Sequence, residues 1–217
     1  MGAVDIRLAG LPIVASGVLI SPTVLVPAGH VTRFFDLAGQ TKARVTFDPV
    51  VSDSSTWHWG TVHTDPAFTN AEPDPNDLGV IVFDAPIPGI TPALLPTENF
   101  LDQLQGKGVL VIFEGVGYGV SQHVGGANDQ GLGAFTGDGT RKYLHSQFHV
   151  SYQGWLQTFP IDGEICFGDS GGPTLLGILA VGIQKTGVNA LCNGGDANMR
   201  LDTPEHRAFL GQFVTLP

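Results

Sequence analysis

A chain of 217 residues with a net charge of −10 is long enough to bury a substantial core in one large all-β domain or two subdomains, and its acidity argues against nucleic acid or anionic membranes as partners. No run approaches the roughly 18 apolar residues of a membrane span, and residues 1–10 have neither a basic start nor an apolar signal core, so a soluble chain is expected. With 30 glycines and 15 prolines punctuating short apolar runs, composition favours strands over helices.

In chain order, strands are predicted over 17–20, 23–26, 44–48, 59–62 and 78–83, with turns at Ser21-Pro22 and 84–88. Residues 96–105 hold few strand formers and read as a crossing segment. A second run of strands follows over 108–113, 116–120, 147–151, 174–176 and 179–184. Between them, 122–140 carries Gly125, Gly126, Gly131, Gly133, Gly137 and Gly139, too many to order easily, and reads as a mobile surface loop. Near the end, Thr203 as N-cap, Pro204 at the first helical position and Glu205 in the first turn start a helix that puts Phe209, Leu210 and Phe213 on one face.

The most informative stretch is Cys166-Phe167-Gly168-Asp169-Ser170-Gly171-Gly172-Pro173. Glycines on both sides of Ser170 permit backbone conformations closed to other residues, so amide N–H groups can converge beside the hydroxyl where charge develops in acyl transfer. This string resembles the nucleophile segment of the trypsin-like (chymotrypsin-fold) serine proteases. Two further segments agree: 21–30, ending Val26-Pro27-Ala28-Gly29-His30, resembles the family's histidine segment, and 76–82, beginning Asn76-Asp77-Leu78-Gly79, its aspartate segment. The likeness runs from about Ser16 to the C-terminus, although only these three blocks are specific. It implies an all-β fold of two six-stranded antiparallel Greek-key barrels with the active site between them. The chain then reads as a single peptidase domain: an N-terminal barrel over about 1–95, a crossing over 96–106, a C-terminal barrel over 107–202 and a helix over 203–214.

A serine hydroxyl is a weak nucleophile until a base takes its proton. His30, with a reference imidazole pKa of about 6.5, suits that task at neutral pH, and Asp77 would fix its tautomer and stabilise the imidazolium. The amides of Gly168 and Ser170 form the implied oxyanion hole. The remaining histidines, 58, 63, 123, 145, 149 and 206, read as surface or core residues. His58 and His63 near Asp65 are too weak a pattern for a metal site, and neither metal nor organic cofactor is required. The segment 168–172 also fits the nucleophile elbow of α/β-hydrolases. That fold needs its acid and histidine after the serine, where only His206 stands, and alternating strand–helix units are missing.

The resemblance also assigns a substrate pocket. Glu164 falls at its floor and would favour Lys or Arg, while Ile165 in place of a small polar residue and Asp196 at a usual glycine reshape it. The stretch Ala180-Val181-Gly182 resembles the strand that pairs with substrate backbone. Cys166 and Cys192 match a pair bridged in the family. That pair suits an oxidising, secreted setting, whereas an intact Met1 without a signal segment suits the cytosol equally. Partners implied are peptide or protein substrates and protein inhibitors. Three departures stand out. Pro27 and Gly29 replace residues common in the histidine segment; Ser16 and Val31 occupy a disulfide position of vertebrate relatives; and no Ile-Val-Gly-Gly N-terminus is available to pair with Asp169, for which Arg7, Arg141 and Lys142 are candidates. A non-catalytic or zymogen-like peptide-binding relative is the alternative, though such relatives usually lose a triad residue and none is lost here.

Overall fold

Short apolar runs close into two barrels. The computed structural model describes residues 1–71, 73–106, 110–120, 122–123, 135–187, 192 and 195–217. The first barrel is built from β1 (Gly2–Val4), β2 (Ala15–Ser21), β3 (Val24–Val26), β4 (Lys42–Thr46), β5 (Trp57–Thr64) and β6 (Gly79–Phe83), in the order β1-β2-β3-β6-β5-β4, with β4 pairing back onto β1. Then come β7 (Ile112–Gly117) and a two-stranded ribbon of β8 (Gln122–His123) and β9 (Phe135–Thr136). With β7, the strands β10 (Lys142–Tyr152), β11 (Trp155–Pro160), β12 (Pro173–Leu176), β13 (Leu179–Gly187) and β14 (Asp196–Arg200) make the second barrel, ordered β10-β11-β14-β13-β12-β7 and closed by β7 on β10. Counted within each barrel the order is the same, so one Greek-key topology occurs twice. Closure leaves no sheet edge along these walls, and two closed antiparallel barrels exclude the α/β-hydrolase architecture.

Several elements differ from their sequence reading. Residues 29–37 form a helix, α1 (Gly29–Leu37), whose buried Val31, Thr32 and Phe35 give it the helical period. The reading of this stretch as a histidine motif hid that pattern. The strands expected over 108–113 and 116–120 are one strand, β7, with Gly115 and Gly117 inside it. Strand β1 is too short to show alternation. Strand β14 hides because Asp196, Asn198 and Arg200 are polar yet buried at 3%, 0% and 3% exposure. Of the glycine-rich loop expected over 122–140, residues 124–134 lie outside the described residues.

The crossing segment holds a short 3-10 helix (Phe100–Leu104) tied to the second barrel, since Leu101 N–H donates to Asp202 Oδ2 at 2.7 Å. Helix α2 (Pro204–Leu210) begins at Thr203, whose hydroxyl accepts from His206 N–H, and buries Phe209 and Leu210 in the core cluster that also contains Leu19, Val31 and Ile81 of the first barrel and Ile183 and Met199 of the second. Among the described residues no helix is long and apolar enough to cross a membrane.

The start of α1 is pressed onto the segment between Asp77 and the start of β6. A Cβ at Gly29 would lie 2.7 Å from Leu78 N and 2.9 Å from Leu78 O, both backbone atoms that cannot swing away. Pro27 tolerates its missing N–H because it stands just past β3, where only its carbonyl is used, accepting Gly79 N–H at 3.1 Å. Gly29→Ala is therefore expected to destabilise by about 1–3 kcal/mol through overpacking, read as a lower urea midpoint; an unchanged midpoint would show that the two segments are free to separate.

Candidate active site

Three segments far apart in sequence meet where the barrels touch. His30 occupies the first turn of α1. Its backbone N–H donates to Asp77 Oδ1 at 2.6 Å and its Nδ1 lies 2.8 Å from Asp77 Oδ2. The Asp77 side chain is 1% exposed and the imidazole 24%. Because the carboxylate accepts, the ring proton sits on Nδ1, leaving Nε2 as the basic nitrogen. The turn carrying Asp77 is held from the far side, where His206 of α2 bonds the Pro75 carbonyl through Nε2 at 2.8 Å and the Arg200 carbonyl through Nδ1.

Ser170 lies at the tip of a turn locked against the histidine segment. A Cβ on Gly171, at φ +84°, would fall 2.3 Å from Ser16 O and 2.8 Å from Pro27 Cα. Only glycine fits so near that backbone. Ser16 ties the turn further: its N–H donates to Ser170 O at 3.0 Å, and its buried hydroxyl donates to Gly168 O at 2.8 Å while accepting Tyr118 N–H at 3.0 Å. Ser16 thus joins the barrels by hydrogen bonds. Among the described residues, the amides of Gly168 and Ser170 donate to no protein acceptor. The Ser170 hydroxyl donates to the Lys185 carbonyl at 3.1 Å, and no hydrogen bond joins it to His30 among the described residues. A disulfide links Cys166 to Cys192.

Asp169 meets backbone donors rather than a new N-terminus. Its carboxylate accepts Gly119 N–H at 2.8 Å and Cys166 N–H at 3.0 Å. Gly117 and Gly119 must lack side chains, since a Cβ on either would stand 1.7 or 2.2 Å from the Asp169 oxygens. Of the cations considered for it, Arg7 pairs with Asp5 at 2.5 Å and Arg141 donates to Phe47 O at 3.2 Å. Lys142 pairs with Asp138 at 3.0 Å and also lines, with Asp169, Glu164 and Asp162, a cavity of about 560 Å³. Burial pushes Asp169 up to about 6, against the two amide bonds and the charge of Lys142.

The expected pocket residues separate. Glu164 is exposed on the cavity wall, whereas Ile165 is buried. Asp196 is buried in β14 with Oδ2 lacking a hydrogen-bond partner among the described residues; burial, then the charges of Asp169 and Glu164, push its pKa up to about 7. Ala180, Val181 and Gly182 do not offer a free edge. Ala180 pairs with Leu175 and Gly182 with both Thr174 and Arg200, so their main-chain groups are used inside the barrel wall. The part of β13 that leaves β12 is 185–187, where Thr186 and Gly187 still pair with β14 on one side. Sequence reasoning missed Lys185; its signal was one charged residue in a run otherwise suited to a buried strand.

Two duplicated Greek-key barrels, with a histidine–aspartate pair on one and a glycine-framed serine on the other, define the chymotrypsin fold, which this chain has. A solved structure described as HL collagenase matches it with a TM-score of 0.70 at 17% sequence identity, over 97% of this chain and 91% of that one. No family model and no curated protein matches the sequence.

The raised Asp196 group makes a stability prediction. The folded chain holds that proton up to about pH 7, while the unfolded chain releases it near pH 4, so this residue subtracts stability as pH rises across that window. Asp196→Asn should match wild type near pH 4 and melt higher at pH 8, at roughly 2–4 °C per kcal/mol gained for a chain of this size. Equal melting curves at pH 8 would mean the carboxylate is solvated or paired.

Proposed function

We propose that the chain is a serine endopeptidase that cleaves peptide bonds through an acyl-enzyme on Ser170, as one peptidase unit over 1–217 with barrels over about 1–95 and 107–202. The observation that carries this reading is the buried Asp77 carboxylate engaging both the main chain and Nδ1 of His30. It leaves Nε2 as the only basic position on the ring. In the reaction a rotation of the Ser170 side chain moves its hydroxyl from the Lys185 carbonyl to Nε2, since such bonds are often unmade before substrate arrives. His30 takes the proton as Ser170 Oγ attacks, then returns it to the leaving amine. The Gly168 and Ser170 amides receive the oxyanion, and water releases the acyl group by the same steps.

Substrate main chain would pair along 185–187 rather than 180–182. For the primary pocket, Glu164 on the cavity wall favours a Lys or Arg side chain, while Ile165 and Asp196 reshape the space around it. Peptides, proteins and protein inhibitors are the partners this implies. The chemistry calls for no metal or cofactor. A non-catalytic or zymogen-like peptide binder is the second reading, and the observation favouring it is the Ser170 hydroxyl turned toward Lys185 rather than His30.

A fluorophosphonate probe separates the two. The enzyme should be labelled at Ser170, Ser170→Ala should not be labelled, and His30→Gln should react at least about 10³-fold more slowly; an unlabelled wild type supports the non-catalytic reading. Among matched Arg, Phe and Ala amide substrates, Arg should be cleaved fastest, and a preference for Phe or Ala would remove the assignment of Glu164 to cation recognition.

A further inference from the structure

Lys185 reaches two of the three residues in the proposed triad. Strand β13 pairs with β14 through Gln184↔Asn198 and then Thr186↔Ala197, so Lys185 is the extra residue of a β-bulge, a device that re-aims a side chain. Its side chain turns inward, 7% exposed, and sets Nζ both over the Trp155 ring, 5.1 Å from its centre, and 3.9 Å from Asp77 Oδ2. Its carbonyl accepts the Ser170 hydroxyl at 3.1 Å. A buried ammonium is costly unless an anion faces it, and the carboxylate beneath His30 is one that does.

We propose that Lys185 is a positioning residue of the triad: its ammonium faces the same Asp77 oxygen that His30 Nδ1 meets and offsets part of its charge, so that His30 remains a base into more acidic solution. The effect is Coulombic. Asp77 alone stabilises the imidazolium, and a cation within about 4–6 Å opposes it. The other charged groups on surrounding elements are engaged elsewhere. On α1, Arg33 pairs with Asp36; on the preceding 3-10 helix, Arg7 pairs with Asp5. Ahead of Asp77, Asp65 accepts Ala67 N–H and Asp74 accepts from Thr69 and Asn76. His63 of β5 stacks on Phe213, and His206 of α2 bonds two carbonyls.

The inference rests on the peptidase reading, and the test distinguishes the two. The rate of fluorophosphonate labelling is measured against pH for wild type, Lys185→Met and Lys185→Arg, with circular dichroism to establish folding. Methionine keeps an unbranched apolar side chain of similar length and removes the charge; arginine keeps the charge. The acid limb should move up by on the order of one pH unit in Lys185→Met and stay near the wild-type position in Lys185→Arg. If the methionine variant does not fold, Lys185→Gln, which retains length and a donor, is read in the same way. A labelled wild type with the same acid limb in the neutral variants overturns the inference and leaves the peptidase reading intact, whereas a wild type unlabelled at every pH overturns both.

Discussion

A carboxylate shut away from water must be met by donors, and the surroundings of Asp77 are built to that requirement. Burying such a group without partners costs several kcal/mol. The main-chain N–H and Nδ1 of His30 supply two partners and the Lys185 ammonium a third, more distant one. They come from two distant parts of the chain: α1 of the first barrel, and the bulge of β13 in the second. Satisfying one anion therefore fixes how the barrels meet, and the geometry of the His30 ring comes with it.

The same junction depends on backbone packed too closely for side chains. Gly29 lets α1 touch Leu78, Gly171 lets the serine turn touch Ser16 and Pro27, and Gly117 and Gly119 let β7 and the turn after it reach the Asp169 carboxylate. Ser16 then closes the contact with hydrogen bonds to Gly168, Ser170 and Tyr118. That buried hydroxyl has both its donor and its acceptor used across the barrels, which satisfies a polar group and orients the turn. Asp169 is met by two amide donors, although burial still raises its pKa to about 6.

The three motif blocks were legible because each is a short run of distinctive residue types, a serine, a histidine or an aspartate set beside glycine or within an apolar stretch. The strands most easily read were those with plain apolar patterns, such as β2 and β6. Strands that bury polar side chains were not legible: Asp196, Asn198 and Arg200 read as loop although the barrel encloses them. Ala180-Val181-Gly182 has the composition of an edge strand, and only pairing reveals that both its edges are taken. Lys185 was missed for a related reason. A bulge has no local signature, so a lysine that alternation would send outward is sent inward.

The central claim is that Ser170, His30 and the Gly168 and Ser170 amides converge on one reacting carbon. A crystal structure of the chain after reaction with a peptidyl phosphonate tests it most directly. The account predicts phosphorus bonded to Ser170 Oγ, its oxygen within hydrogen-bond distance of both amides, and His30 Nε2 beside the ester oxygen; phosphorus on another residue, or an oxygen turned away from those amides, would contradict it.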